Sequence, residues 1–200
     1  MTRIWNLNDF SYKLPQDLIA QHPEQNRSDS RVLQVDVGNS LNIKTIPDFE
    51  EFNFSDLASK LQKNDLLIFN NSKVIPASLK CEKKTGGKIE LLVIEDLSSN
   101  PKKLLANALI KSGKKNLIGQ KIRVVGSDCY IEVKRRDPNK PEQFLVKFLN
   151  PIKEILDQYG EMPLPPYIKR KEQKSDKSRY QNIFANTPGS IAAPTAGLHF

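Results

Sequence analysis

Cysteine and long apolar segments are scarce in this sequence, and each scarcity excludes a class of protein. The two cysteines, Cys81 and Cys129, lie far apart, and neither belongs to a pair spaced to hold a metal ion. We therefore expect reduced thiols and no metal site, because a disulfide framework needs an oxidising compartment. No run of about 18 or more apolar residues occurs, and the N-terminus lacks the apolar stretch of a secretory signal. These absences predict a cytoplasmic protein without a membrane partner.

The common cofactor and hydrolase motifs are absent as well. Residues 85–88 read TGGK, but Ile89 follows the lysine where a phosphate-binding loop needs serine or threonine. We interpret Gly86-Gly87 as the turn of a hairpin. GxGxxG, HExxH and GxSxG do not occur, which excludes the usual dinucleotide, zinc-protease and serine-hydrolase sites.

Positive charge is concentrated in the middle of the chain. The net charge is +8 overall, but residues 60–140 alone carry +10, whereas residues 1–59 carry −4 and residues 141–200 carry +2. The lysine pairs Lys83-Lys84 and Lys114-Lys115 lie in this basic segment. Such a pattern is typical of a surface that follows a phosphate backbone, although a lysine-rich surface that serves only solubility would look the same.

Short helices and strands alternate at the start of the chain. Residues 15–20 have the proline and acidic residue of a helix start, and residues 56–61 have helical spacing. Residues 30–37 alternate between polar and apolar, which predicts a strand. The apolar run at residues 65–69, DLLIF, predicts a second strand that is buried on both faces.

The pattern changes after residue 74. Five strand-like runs separated by glycine-containing turns predict a small antiparallel β-barrel; they lie at residues 74–80, 88–94, 121–126, 129–135 and 143–149. Residues 151–160 predict an amphipathic helix, with Pro151 at its start and Gly160 after its end.

Several polar residues could carry chemistry. Histidine is the residue type that exchanges protons near neutral pH, and only His22 and His199 are present. His199 follows a block of small residues that would let a ligand approach the backbone. Arg27 and Arg31 flank Asp29 and could clamp a carboxylate or phosphate, or form a surface ion pair of little value.

Two further groups have the residue types of a ligand site. Asn70 and Asn71 directly follow an apolar run, a usual position for ligand contacts in α/β folds, but they could equally form a turn. Arg179-Tyr180-Gln181 combines a cation, an aromatic face and an amide, which could bind a nucleobase or cap a helix.

Taken in order, several blocks resemble one enzyme family. They are FSYKLPQDLIAQHP at residues 10–23, RSDSRVL at 27–33, NDLLIFNNSKVIPASL at 64–79, TGGKIELLV at 85–93, GEMPLPPYIKR at 160–170, RYQNIFA at 179–185 and GSIAAPTAGLHF at 189–200. The family is the S-adenosylmethionine:tRNA ribosyltransferase-isomerases of queuosine biosynthesis, and the chain resembles its N-terminal portion. The chain departs from the family pattern in the loop at residues 70–73, which reads NNSK instead of Asn-Asp-Thr-Arg, and at Ser78, where arginine is usual.

The resemblance implies a reaction. Such an enzyme moves the ribosyl unit of S-adenosylmethionine, its co-substrate, onto 7-aminomethyl-7-deazaguanine at the tRNA wobble position. It isomerises that unit to an epoxycyclopentanediol, and adenine and methionine leave. The product is epoxyqueuosine in tRNA, and no metal is required.

The same resemblance suggests roles for residues in the matching blocks. We expect His199 to act as the catalytic acid or base. The expected substrate-binding residues are Asn70, Asn71, Arg179, Tyr180, Gln181, Thr195 and Gly197, and the expected tRNA-binding residues are Lys83, Lys84, Lys114 and Lys115.

We expect a monomer with two domains. Residues 1–60 and 151–200 would build an α/β catalytic domain, which we expect to be incomplete because the family's chains are longer. Residues 61–150 would form the inserted basic β-barrel. Two other functions remain open: a non-catalytic basic β-barrel that binds RNA, and a different S-adenosylmethionine-dependent methyltransferase, which the missing glycine-rich nucleotide loop disfavours.

Overall fold

Short strands and helices make up the computed structural model, which describes residues 5–36, 48–94, 97, 100–113 and 117–200. The strands are β1 Arg31–Val35, β2 Phe49–Asn53, β3 Ser72–Val74, β4 Ser78–Lys83, β5 Lys88–Val93, β6 Leu105–Ser112, β7 Lys121–Val124, β8 Tyr130–Arg136, β9 Gln143–Phe148 and β10 Thr187–Ser190. The α-helices are α1 Leu57–Lys60, α2 Ile152–Tyr159 and α3 Asp176–Arg179. Single 3₁₀ turns lie at Leu7–Phe10, Gln16–Leu18, Arg27–Asp29, Phe54–Asp56 and Thr195–His199.

Six antiparallel strands close into a barrel, in the order β4-β5-β6-β9-β8-β7, with β7 pairing back onto β4. Alternate side chains along each strand point inward, as the period of a strand requires. The inward side chains of β4, β5, β7 and β9 include Leu79, Leu91, Ile122 and Val146, all completely buried. This confirms the small antiparallel barrel predicted from the sequence.

All five strand-like runs correspond to barrel strands, and the Gly86-Gly87 hairpin is confirmed between β4 and β5. Gly86 has φ +79°, a conformation that glycine adopts without strain. The sequence did not reveal β6, the longest strand. Its sequence LANALIKS contains two alanines and an asparagine, which have low strand propensity, so only pairing with β5 and β9 identifies it as a strand.

Helix α2 covers the barrel. Its length agrees with the predicted helix, with Pro151 before its first residue and Gly160 after its last. Ile152, Ile155 and Leu156 form its buried stripe and belong to the same hydrophobic core as the barrel strands. Burying this stripe against the barrel stabilises both elements, because so short a helix is marginal alone.

The chain enters and leaves the barrel at one place. Just before the barrel, β3 pairs in parallel with β10, so the two segments that flank the barrel in sequence meet in space. Ser78 and Glu161 then bond backbone to backbone in both directions, at 3.2 and 2.8 Å. We call this crossing, formed by Pro76–Ser78 and Gly160–Glu161, the neck.

The predicted buried strand at residues 65–69 is wrong. These residues form no strand, and the side chains of Leu66 and Ile68 are 82% and 86% exposed. An apolar strand needs neighbours for its backbone and for both faces, and no described strand pairs with this segment.

The predictions at residues 30–37 and 56–61 are confirmed by β1, which pairs antiparallel with β2, and by α1. The helix start at residues 15–20 is a single 3₁₀ turn, Gln16–Leu18.

Both cysteines are free thiols, as the sequence predicted. Burial raises the pKa of Cys81 to about 12, so this barrel thiol stays protonated at neutral pH. Among the described residues, no helix is long and apolar enough to cross a membrane.

Replacing Gly160 with alanine tests the neck. A Cβ atom at this position would lie 2.0 Å from the carbonyl oxygen of Pro76 and 2.4 Å from that of Leu156, both backbone atoms. We expect Gly160→Ala to lower the free energy of unfolding by about 3 kcal/mol, because the two chain segments must separate. Gly113→Ala is the matched control, since nothing lies within 4 Å of its Cβ position. Urea denaturation compares the two, and equal stability would show that the neck tolerates the added methyl group.

Candidate active site

A cleft of about 280 Å³ lies outside the barrel, between the N-terminal segment and the last forty residues of the chain. Its apolar wall includes Leu164, Ile168 and Leu198. Its polar lining comprises Gln21, His22, Glu24, Arg27, Ser30, Arg170, Asp176, Arg179, Tyr180, Thr195 and His199. Four of the residues predicted from the sequence, His199, Arg179, Tyr180 and Thr195, therefore lie together.

His199 is half-buried at the edge of this cleft. Its Nδ1 lies 2.9 Å from the hydroxyl oxygen of Ser30, and its ring packs against Phe54 with centroids 5.6 Å apart. Ser30 in turn donates to the carbonyl oxygen of Arg27 at 3.3 Å. A hydroxyl has one hydrogen, so a serine that donates to Arg27 accepts from Nδ1–H, which leaves Nε2 as the nitrogen able to take a proton.

Two arginines line the same cleft as this histidine. Arg27 donates to the carbonyl oxygens of Leu198 and Ser178, at 3.2 and 2.9 Å. Arg179, at the end of α3, donates to those of Gln25 and Glu24, at 3.3 and 2.6 Å. These bonds tie the N-terminal segment to the C-terminal segment. Burial, and then the charge of Arg179, lower the pKa of Arg27, which shows that the two cations repel each other.

Tyr180 lines the cleft, whereas Gly197, another predicted substrate residue, does not. Tyr180 is buried, its hydroxyl oxygen accepts the N–H of Ala193 at 3.3 Å, and burial raises its pKa. Gly197 packs so tightly that a Cβ atom would lie 3.0 Å from the Cβ of Asn182. Thr195 is exposed in the lining, at the start of the same 3₁₀ turn.

The structure places the other predicted substrate residues elsewhere. Gln181 points away from the cleft and bonds both backbone groups of Val74 in β3, at 2.9 and 2.6 Å. The side-chain oxygen of Asn70 accepts the N–H of Ser72 at 2.7 Å, so Asn70 forms a turn, the alternative to a ligand contact. The backbone oxygen of Asn71 accepts the N–H groups of residues 186 and 187. None of the three lines the cleft.

Lys83 and Lys84 lie at the tip of the β4–β5 hairpin, where Lys84 is exposed. The neck lies at the other end of β4, about 17 Å away at 3.3 Å per residue. Lys114 and Lys115 lie outside the described residues. Within the described part of the chain, no cluster of three or more histidine, cysteine, aspartate or glutamate side chains could hold a metal ion.

A buried ion pair forms one wall of the cleft, and sequence reasoning missed it. Arg170 binds Asp176 through two nitrogens, at 2.7 and 2.8 Å, and its Nε donates to the carbonyl oxygen of Gln21 at 2.7 Å. Asp176 also accepts the N–H of Gln173 and is 3% exposed. The sequence offers only a six-residue spacing within a charged stretch, which could as well be a solvated loop.

Removing the carboxylate of Asp176 tests this wall. The hydrogen bond from Arg170 lowers the pKa of Asp176 below its unfolded value. The pair therefore stabilises the fold fully above the unfolded pKa of about 3.9, and this contribution is lost as the pH falls through the folded-state pKa. We expect Asp176→Asn to cost on the order of 3 kcal/mol at pH 7, because it removes the only carboxylate that pairs with the half-buried Arg170 among the described residues.

The difference from the unchanged protein should shrink in strongly acidic solution. Urea denaturation at pH 7 and at acid pH measures both values. Asp157→Asn, which removes an exposed pair with Lys153, is the control and should change little. A constant deficit at all pH values would show that shape, not charge, fixes this wall.

Comparison with known proteins places this chain in a family. The family model described as "Queuosine biosynthesis protein" matches residues 7–200. A protein of Nitrosococcus oceani named S-adenosylmethionine:tRNA ribosyltransferase-isomerase is 41% identical over 196 residues, which is 97% of this chain and 53% of the relative. A protein of Legionella pneumophila with the same name is 42% identical over 195 residues, 98% of this chain and 53% of the relative.

A solved structure of an S-adenosylmethionine tRNA ribosyltransferase from Thermotoga maritima is 27% identical and aligns with 80% of this chain and 52% of that one, with a TM-score of 0.34. The chain spans about half the length of the relatives it matches. The match nevertheless runs through every block that lines the cleft, from residue 7 to residue 200. The chain therefore belongs to the queuosine biosynthesis protein family.

Proposed function

We propose that this chain carries part of the active site of a transferase that moves and isomerises the ribosyl unit of S-adenosylmethionine onto tRNA. The observation that carries the proposal is the cleft, which gathers His199, Arg179, Tyr180 and Thr195 from separate blocks of a family match. The acceptor is 7-aminomethyl-7-deazaguanine at the wobble position, adenine and methionine are released, and epoxyqueuosine remains in the tRNA. S-adenosylmethionine acts as co-substrate, and no metal takes part.

His199 supplies the proton transfer in this proposal. A sulfonium acidifies the hydrogens on the adjacent 5′ carbon, so a single base can begin the reaction. The contact of Nδ1 with Ser30 supports Nε2 as the ring nitrogen that receives that proton. The protonated ring can then assist the departure of adenine, since protonation makes the purine a better leaving group.

The remaining predicted residues keep their roles as proposals. Arg179, Tyr180 and Thr195 line the cleft, where they can bind the nucleobase or the co-substrate, and Gly197 lies in the same 3₁₀ turn as Thr195. Gln181 acts by fixing the chain next to β3, which its two bonds to Val74 support. Asn70 and Asn71 can reach ribose hydroxyls only from outside the cleft.

We propose that residues 61–150 form an inserted basic domain that binds tRNA. The parallel pairing of β3 with β10 supports an insertion that begins after β3, because β3 then belongs with the segments outside the barrel. Residues 1–60 and 151–200 would belong to an α/β domain whose further elements cover exposed apolar side chains such as Leu18 and Phe49. The greater length of the relatives supports this view. We place the protein in the cytoplasm as a monomer.

Adenine release tests the reaction. The protein expressed from its complete coding sequence should release adenine from S-adenosylmethionine only when tRNA bearing the aminomethyl base is present. Chromatography of adenine, with mass spectrometry of the tRNA nucleosides, follows both products. A methyl group on the RNA would instead support a methyltransferase, and tRNA binding without adenine release would support a non-catalytic RNA-binding barrel.

His199→Ala tests the proton transfer. We expect kcat to fall by about 100-fold or more, while tRNA affinity changes little, because an acid or base acts mainly in the transition state. Ser30→Ala, which removes the hydroxyl that contacts Nδ1 and the carbonyl oxygen of Arg27 but keeps the imidazole, should cause a smaller fall in kcat. Circular dichroism controls for folding. A fall in tRNA affinity equal to the fall in kcat would contradict the catalytic role.

Salt dependence tests the basic surface. Changing Lys83, Lys84, Lys114 and Lys115 to alanine should flatten the dependence of tRNA affinity on salt, since each lost phosphate contact removes about 0.7–0.9 from the log–log slope. Lys111→Ala and Lys153→Ala are controls, because these exposed lysines already pair with Glu90 and Asp157. Fluorescence anisotropy at several salt concentrations gives the slopes. An unchanged slope in the fourfold variant would move the tRNA surface elsewhere.

A further inference from the structure

The cleft holds two arginines that nothing in the described part of the chain neutralises. Arg27 and Arg179 both line it, and each is half-buried. Their described partners are backbone carbonyl oxygens, two for each guanidinium. A carbonyl accepts a hydrogen bond but carries no net charge, so the pair retains two positive charges in a partly desolvated place.

The nearby carboxylates do not compensate this charge. Asp176 lines the same cleft, but Arg170 engages both of its oxygens. Glu24 is exposed and forms no ion pair with a described residue, although its backbone oxygen accepts from Arg179. The pKa of Arg27 is lowered first by burial and then by the charge of Arg179. Holding two like charges together in this way costs free energy unless an anion occupies the site.

The fixed geometry leaves donors for such an anion. A guanidinium has five N–H groups, and each of these uses two on backbone carbonyls. Three N–H groups of each arginine thus have no partner among the described residues. The carbonyl bonds hold both planes in place, so little side-chain entropy is lost when an oxyanion binds.

We propose that Arg27 and Arg179 form an oxyanion subsite that holds a carboxylate or a phosphate of the substrates beside His199. The subsite rests on the proposed function for the identity of its ligands. Two sources have the right chemistry: the α-carboxylate of S-adenosylmethionine, and a backbone phosphate of tRNA next to the modified base. Either would place the reacting groups against the histidine ring while neutralising the arginine pair.

Equilibrium binding distinguishes the sources without turnover. The protein expressed from its complete coding sequence is titrated with S-adenosylmethionine and with decarboxylated S-adenosylmethionine, which lacks the carboxylate. A separate titration with tRNA across salt concentrations gives the log–log slope. The variants are Arg27→Gln and Arg179→Gln, with Arg31→Gln as matched control, because Arg31 pairs with Glu51 on the exposed face of β1.

If the carboxylate is the ligand, the unchanged protein prefers S-adenosylmethionine over the decarboxylated form by about tenfold to a hundredfold, the worth of a charged hydrogen bond. Arg27→Gln and Arg179→Gln abolish that preference, and Arg31→Gln keeps it. If a phosphate is the ligand, there is no preference, and each cleft variant lowers the tRNA salt slope by about 0.7–0.9 more than the control does.

Two comparisons guard against a variant that simply fails to fold. The first is the affinity of the unchanged protein for the two forms of S-adenosylmethionine, and the second is the variant Arg27→Lys. Arg27→Lys keeps the charge but not the planar fork, so it should recover part of the lost affinity. The subsite is overturned by two results together. The unchanged protein binds S-adenosylmethionine and its decarboxylated form with equal affinity, and the salt slopes of tRNA binding for Arg27→Gln and Arg179→Gln equal that of Arg31→Gln. Adenine release by the unchanged protein reports separately on the proposed reaction, so failure of one is distinguishable from failure of the other.

Discussion

The close contact between Gly160 and Pro76 is the constraint on which the rest of the structure depends. It brings the chain leaving the barrel against the chain entering it, with room for a hydrogen atom only. From this point the backbone bonds between Ser78 and Glu161 close the base of the barrel, and α2 ends where the contact begins. Because the chain enters and leaves the barrel at this one neck, the barrel can be inserted between β3 and β10 while these two strands stay paired.

The neck explains how a cleft can form from distant parts of the sequence. The barrel occupies the residues between β3 and α2, so the chain before it and the chain after it remain close. Arg27, Arg170 and Arg179 then join residues that are about 150 positions apart. Each of these bonds ends on a backbone carbonyl, which fixes direction as well as distance.

Charge divides the molecule into two regions with different physical roles. On the barrel, lysines and glutamates alternate across exposed strands and are screened by solvent. In the cleft, the arginines are partly removed from water and are held by neutral acceptors, so their charge acts over a short range with little screening. A surface of the first kind supports long-range attraction of a polyanion, whereas the second kind suits the recognition of one oxyanion.

The sequence by itself determined the elements that depend on local order. Alternating apolar residues gave β1, β4, β5, β7, β8 and β9, Pro151 and Gly160 bounded α2, and glycine placed the β4–β5 turn. The ordered blocks also pointed to the family and to His199, Arg179, Tyr180 and Thr195 as residues of one site. These features depend on neighbours a few positions away, which a sequence displays directly.

Only the tertiary structure decided the features that depend on partners far along the chain. The apolar run at residues 65–69 has strand composition but no described neighbour to pair with, and β6 has weak propensity but two neighbours. Gln181 has an amide that could bind a ligand, but that amide hydrogen-bonds the backbone of Val74 instead. Arg27 gains its position beside Arg179 because backbone carbonyls more than 150 residues away hold it there. Hydrogen bonds and burial are satisfied in space rather than along the sequence, and residue type alone does not reveal which partner will satisfy them.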